Sequence, residues 1–165
     1  MRCEIILLTR NVKVIGDSSN DWGCAIVTAD RIEEDRTFRV GKMTLDNVEV
    51  YRGGQEDTYK SAVRFEGAMK GAPGEKVIEG SVVWGGNGKN LIIKTSKNVN
   101  VNNSAFIGAQ QVGVLLQTVN NVHLNGIFVA DVVKRVLNAN LMRLDKMAGV
   151  AFCSFTTDIC PDTSI

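Results

Sequence analysis

The chain has 165 residues, of which 44% are hydrophobic and 22% are charged. These proportions are typical of a folded globular domain and differ from those of disordered or membrane-spanning chains. The 19 basic and 18 acidic side chains leave a formal charge of +1, which gives no indication of binding to nucleic acid or to an anionic membrane. We therefore expect a single domain without nucleic-acid or membrane contacts.

A short apolar run, from Ile5 to Leu8, opens the chain and ends at Thr9. It is too short for the core of a secretory signal or for a spanning helix. The phrase Asn-Val-Lys-Val follows at 11–14, and similar phrases return at 47–50, 98–101 and 121–124. The recurrence indicates an internal repeat.

The repeat has a period of 23 residues in the middle of the chain, where units near 68–90, 91–113 and 114–136 align. Apolar and polar residues alternate within a unit, which is typical of strands with one buried face. The alignment predicts a stacked core formed by four aliphatic residues: Val99, Val101, Val122 and Leu124. Asparagine tolerates the left-handed backbone of tight bends, so Asn98 and Asn121 are predicted to lie one above the other.

Such a unit is long enough for about three short strands and cannot bury its apolar face alone, so it must stack on the next. The pattern predicts an all-β fold, a single-stranded parallel β-helix of about five to seven coils. We expect one such region over 1–165, as a piece of a longer protein. Polar segments are expected to be loop insertions, at Asp17–Asp21, Arg31–Arg36, Gly53–Asp57 and Lys70–Gly74.

The segment 131–147 differs from the repeats because its apolar residues recur at helical spacing. These residues are Val133, Val136, Leu137, Leu141 and Leu144. The pattern predicts a short helix packed on the side or end of the stacked strands. A helix that binds a partner is the alternative.

Few residues suggest chemistry. Asp17 and Asp21 could hold calcium, but a solvated loop is the better interpretation. The single histidine, His123, lies between Val122 and Leu124 and is expected on the outer surface. No nucleophile accompanies it in the sequence. We therefore predict no catalytic residue, no cofactor and no metal ligand.

The tryptophans and one glycine-rich segment leave alternatives open. Trp22 and Trp84 could stack on a sugar ring, or Trp84 could pack against an inserted loop. The glycine-rich stretch Gly85–Lys89 lacks the ending of a phosphate-binding loop, so a bend between strands explains it better.

Four stretches carry a resemblance to a known family: LLTRNVKVIGD at 7–17, NVEVYRGGQ at 47–55, VIEGSVVWGGNGKNLII at 77–93 and AGVAFCSF at 148–155. Their order resembles the fibrocystin and fibrocystin-like family, in which an eight-glycine domain leads into parallel β-helix repeats of a large extracellular protein. The resemblance implies a right-handed β-helix and a location outside the cell or at its surface.

Proteins of similar layout degrade hyaluronan and carry a His-Phe-His phrase where this chain has Arg64-Phe65-Glu66. Arginine does not transfer protons at neutral pH, and Arg64 with Glu66 is expected to form a solvated or ion-paired surface. We therefore predict a non-catalytic structural and recognition module. Its expected partners are carbohydrate or protein ligands and further copies of itself at its ends. The alternative is a polysaccharide-degrading enzyme, hyaluronidase-like or a lyase.

An extracellular location bears on two further features. Asn102 begins the sequon Asn-Asn-Ser and is a predicted N-glycosylation site. The cysteines are predicted to form two disulfides, Cys153 with Cys160 across a short loop and Cys3 with Cys24 about one repeat apart. Unpaired buried thiols are the alternative.

Overall fold

The structure is a computed structural model that describes residues 10–17, 22–140, 146–148 and 151–152. The regular elements within these ranges are all β-strands. They are β1 Val12–Ile15, β2 Ile26–Thr28, β3 Arg31–Ile32, β4 Phe38–Arg39, β5 Met43–Asp46, β6 Val48–Tyr51, β7 Ser61–Glu66, β8 Lys76–Glu79, β9 Val82–Trp84, β10 Lys89–Asn102, β11 Ala105–Ile107, β12 Val112–Asn125, β13 Phe128–Ala130, β14 Arg135–Asn140, β15 Lys146–Ala148 and β16 Ala151–Phe152.

Two parallel sheets and one hairpin make up the described chain. The first sheet has the strand order β1-β6-β9-β11-β13-β16. The second sheet has the order β14-β12-β10-β7-β2, with β15, β8 and β5 attached beside it. The hairpin consists of β3 and β4, which pair antiparallel.

The strands pair at the spacing of the sequence repeat. In the second sheet β10 and β12 pair in parallel, with Val99 opposite Val122 and Val101 opposite Leu124. All four of these side chains are buried. The spacing is larger nearer the N-terminus, where β7 and β10 pair Val63 with Leu91, because the loops there are longer. Insertions in the loops therefore change the spacing without changing which side chains point inward.

The backbone turns also repeat at this spacing. Gly80, Asn103 and Gly126 all have positive φ angles, of 54°, 46° and 61°. Asn98 and Asn121 have φ angles of 59° and 51°, which confirms the predicted left-handed bends. The Nδ2 of Asn121 donates to Oδ1 of Asn98 at 2.7 Å, so the predicted stacking of these two side chains is also confirmed.

The core lies between the two sheets and runs across the strands. In the first sheet Val50, Val83, Phe106 and Val129 occupy equivalent positions on β6, β9, β11 and β13, and each is almost completely buried. The second sheet contributes the facing residues, including Val63, Phe65, Ile78, Leu91, Ile93, Val114 and Leu116. Each strand thus supplies a few apolar side chains to one continuous cluster.

The predicted single right-handed parallel β-helix is wrong. The described residues mix parallel and antiparallel pairing: β3 and β4 are antiparallel, and Trp22 forms an antiparallel bridge with Gln55. The long strand β10 pairs on one side with two separate strands, β7 and β8, so the second sheet branches. The physical reason is that the polar insertion around 31–39 satisfies its own backbone groups as a hairpin instead of continuing the repeat. The structure shows an all-β arrangement in which two parallel sheets are accompanied by an antiparallel hairpin.

The predicted helix within 131–147 is wrong as well. Arg135–Asn140 is strand β14, which pairs in parallel with β12, and Leu137 lies opposite Val114. The segment Leu137-Asn138-Ala139-Asn140 alternates apolar and polar residues, a pattern that the spacing of the larger residues obscured. The unpaired backbone groups of β12 favour a strand beside them, and this tertiary pairing outweighs local propensity.

Substitutions of Asn121 should separate two contributions to stability, its side-chain hydrogen bonds and its left-handed backbone conformation. Asn121→Ala removes the side-chain contacts with Asn98 and His123 and places alanine in left-handed backbone, so we expect a loss of about 2 kcal/mol in the free energy of unfolding. Asn121→Gly removes the same side-chain contacts but tolerates the left-handed backbone, so it should lose only about 1 kcal/mol. Urea denaturation measures both values. Equal losses in the two variants would contradict a contribution from the backbone conformation.

Candidate functional site

The histidine and the tryptophans lie at separate places on the surface. His123 is half-buried, and its Nε2 lies 2.8 Å from Oδ1 of Asn121. Trp22 is 61% exposed, with Nζ of Lys60 4.2 Å from its ring centroid. Trp84 stacks on Tyr51 of the neighbouring strand, with ring centroids 4.1 Å apart. The structure therefore does not bring these side chains together into one site.

Trp84 also belongs to a buried polar cluster around Glu49, which sequence reasoning missed. Glu49 is 3% exposed. Its carboxylate accepts hydrogen bonds from Nε1 of Trp84 at 3.0 Å and from the backbone N–H of Arg10 at 3.3 Å, and it pairs with Nζ of Lys13 at 3.0 Å. Burial acts to raise the pKa of this carboxyl, but the hydrogen bonds from Lys13, Trp84 and Arg10 hold the pKa below its ordinary value. The cluster connects side chains of three neighbouring strands of the first sheet, β1, β6 and β9.

The less favoured alternative, a calcium site at Asp17 and Asp21, is described only in part. Within 10–17, 22–140, 146–148 and 151–152, no group of three or more His, Cys, Asp or Glu side chains could hold a metal ion. Asp21, one of the two predicted calcium ligands, lies outside these ranges.

The predicted modification sites are described only in part. Asn102 is half-buried at the end of β10, and Oγ of Ser104 in its sequon donates to the Asn102 carbonyl at 2.6 Å. Cys24 is half-buried and has no disulfide partner among the described residues, and burial raises the pKa of its thiol. Cys3, Cys153 and Cys160 lie outside the described residues. The glycosylation and both disulfides stay predictions.

A surface groove of about 480 Å³ is the best candidate for a binding site. It lies on the outer face of the second sheet, against the loop that precedes β7. Its lining consists of Asp57, Thr58, Tyr59, Lys89, Gln111, Leu115 and Gln117. The groove therefore combines one apolar residue and one aromatic ring with amide, hydroxyl and charged groups, so its lining is mainly polar.

The apolar part of the groove arises from a break in the strand alternation. Leu91-Ile92-Ile93 and Val114-Leu115-Leu116 are continuous apolar runs, so one residue of each run must face outward. Ile92 and Leu115 lie opposite each other and form a second apolar cluster with Val112, separate from the core between the sheets. Leu115 thus brings apolar surface to the groove on a rigid strand.

The loop that borders the groove, Gln55–Lys60, is fixed in place. Nζ of Lys89 donates to the Thr58 carbonyl at 2.7 Å, and Nη1 of Arg64 donates to the Tyr59 carbonyl at 3.0 Å. The loop also lies directly against the backbone of Gly88, where a Cβ atom would stand 2.5 Å from the Gln55 carbonyl oxygen. A residue larger than glycine at position 88 would push the loop outward.

A chain of polar contacts crosses the groove. Nζ of Lys89 donates to Oε1 of Gln111 at 2.6 Å, and Nε2 of Gln111 donates to Oδ1 of Asp57 at 2.7 Å. Asp57 also pairs with Nζ of Lys134 at 3.5 Å. Burial lowers the pKa of the Lys89 ammonium, Asp57 partly offsets this effect, and Lys134 adds to it. The network holds the amide and the ammonium of the groove in fixed positions.

Tyr59 stands at the rim, surrounded by cationic side chains. Its side chain is 65% exposed. Nζ of Lys94 lies 4.9 Å from the ring centroid, and Nζ of Lys89 lies 5.9 Å from it. Lys94 and Arg64 both pair with Glu66, at 3.4 and 3.3 Å, which confirms the predicted ion-paired surface at Arg64 and Glu66.

Sequence reasoning missed this groove because its parts are distant in the chain. Gln111 and Asp57 are 54 residues apart, and neither belongs to a recognisable motif. Two signals were present in the sequence: the paired apolar runs 91–93 and 114–116, and the polar insertion before β7. Together they indicate an outward apolar strip beside a loop that could cover it.

Comparison of the chain with protein families, with curated proteins and with solved structures found no match. The part of the chain that the structure describes contains no helix long and apolar enough to cross a membrane.

Proposed function

We propose that this chain is a non-catalytic structural and recognition module that works outside the cell or at its surface. In this proposal the stacked strands form a stiff support, and the groove beside Tyr59 is the surface that meets a carbohydrate or protein ligand. Further copies of the chain are a second expected partner, through pairing at the edges of the sheets. The resemblance of the quoted stretches to the fibrocystin family supports the extracellular location.

The observation that carries the proposal is the set of contacts that the two carboxylates near the groove make with other side chains. Asp57 contacts Gln111 and Lys134, and Glu66 is paired with Arg64 and Lys94. Each carboxylate therefore contacts two donor side chains of the protein itself. Such contacts hold both carboxylates in position and suit structural or binding groups.

The experiment is a cleavage assay on the polysaccharides that the alternative function would use. The whole chain is incubated with hyaluronan and with pectate, with and without calcium, and polymer length and new chain ends are measured. We expect both polymers to keep their length. Shortening that depends on protein concentration and is lost in Glu66→Gln or Asp57→Asn would overturn the proposal and establish the polysaccharide-degrading alternative.

A further inference from the structure

We propose that the groove beside Tyr59 binds a saccharide that carries an acidic group, a carboxylate or a sulfate ester. The inference rests on the proposed function, because it names the ligand class of the same recognition surface. It is carried by three features of the groove: its charge, its unused hydrogen-bonding groups and its exposed ring.

The charge around the groove is positive. The groove itself is lined by one cation, Lys89, and one carboxylate, Asp57. Three further cations contact the lining residues Tyr59 and Asp57, namely Lys94, Arg64 and Lys134. Glu66 pairs with two of these cations, Arg64 and Lys94. These four cations and two carboxylates leave an excess of two positive charges, although the whole chain carries a formal charge of only +1. An excess of positive charge beside a cleft attracts ligands of the opposite sign.

The groove presents hydrogen-bonding groups that suit ring hydroxyls and an acidic group. An ammonium has three N–H donors, and Lys89 gives two of them to Thr58 and Gln111. The remaining donor is free to meet a carboxylate or sulfate oxygen. Gln117, half-buried on β12, adds an amide that can both donate and accept, as sugar hydroxyls require.

The ring of Tyr59 supplies the apolar face that a sugar ring needs. Its exposure of 65% leaves much of the side chain in solvent, while the hydrogen bonds from Lys89 and Arg64 to the Thr58 and Tyr59 carbonyls hold the loop backbone that carries it. A ligand that stacks on a fixed ring loses less conformational entropy than one that must order a mobile loop. Lys94 beside the ring then lies within reach of an acidic substituent on the stacked sugar.

Three polymers test the inference: polygalacturonate with carboxylates, dextran sulfate with sulfate esters, and neutral dextran. Titration calorimetry at two salt concentrations gives their affinities for the whole chain. We expect at least one acidic polymer to bind and neutral dextran not to bind. The acidic polymer that binds more tightly identifies the acidic group.

The variants locate the binding. Lys94→Gln and Tyr59→Ala should each weaken binding of the acidic polymer at least tenfold, and Tyr59→Phe should keep it because the ring remains. Lys42→Gln removes the same charge at a site away from the groove, where Lys42 pairs with Glu75, and should leave the affinity unchanged. An equal loss in Lys42→Gln, or no effect of Lys94→Gln and Tyr59→Ala, would overturn the inference.

Failure of the inference is distinct from failure of the proposed function. Binding to neutral dextran as tight as to the acidic polymers, or binding to none of the three, would overturn the acidic-saccharide ligand. Neither result would make the chain an enzyme. Only shortening of a polymer would do that.

Discussion

Val122→Asp is expected to abolish cooperative folding. Val122 is completely buried, lies opposite Val99 in the parallel ladder and belongs to the cluster between the sheets. A buried and unpaired carboxylate costs about 3–5 kcal/mol, which is a large part of the about 5–15 kcal/mol that stabilises a typical domain. Because the neighbouring strands pack against the same cluster, we expect the loss of folded structure to extend beyond β12.

Asn120→Asp is the matched control for this variant. Asn120 lies on the same strand, and its substitution by aspartate introduces the same charge. The Asn120 side chain is exposed, however, and Lys97 lies opposite it on β10. We expect Asn120→Asp to fold with a stability within about 0.5 kcal/mol of the parent. Circular dichroism during urea titration distinguishes the two variants. A cooperative transition in Val122→Asp at the parent's midpoint would show that the position is not buried in the folded protein.

Phe106→Ala should lower the free energy of unfolding by about 3–5 kcal/mol. Phe106 is completely buried in the centre of the first sheet, between Val83 on β9 and Val129 on β13. Truncation to alanine removes most of the side chain, and strands paired on both sides of β11 cannot close the cavity without losing their own hydrogen bonds.

Phe38→Ala is the corresponding control on the hairpin. Phe38 is 46% exposed on β4, so its truncation should cost about 1 kcal/mol or less. The midpoints of urea denaturation for the two alanine variants provide the comparison. Equal losses would indicate that the hairpin contributes to the core as much as β11 does.

The repeat itself could be predicted from the sequence because it rests on local and periodic information. The offset that aligns Val99 with Val122 in the sequence is the offset at which β10 and β12 pair. The left-handed bends at Asn98 and Asn121 were also predictable, because asparagine is one of the few residues that tolerate this backbone.

The errors came from segments where tertiary pairing decides the structure. The strand β14 was predicted as helix because the large apolar residues of 131–147 have helical spacing, while the edge of β12 pairs with it as a strand. The hairpin of β3 and β4 was predicted only as a polar insertion, and its pairing with itself helps to exclude the single right-handed β-helix. The groove depends on contacts such as that between Gln111 and Asp57, which no local pattern predicts.

Hydrogen–deuterium exchange tests the central claim most directly, namely that the aliphatic interior makes β10 and β12 a rigid support for a surface groove. We predict that the amides of Val99, Val101, Val122 and Leu124 exchange at least about a hundredfold more slowly than those of Glu56 to Tyr59, since core strands open only with large parts of the fold. Exchange of the four strand amides at the rate of the loop would contradict the claim.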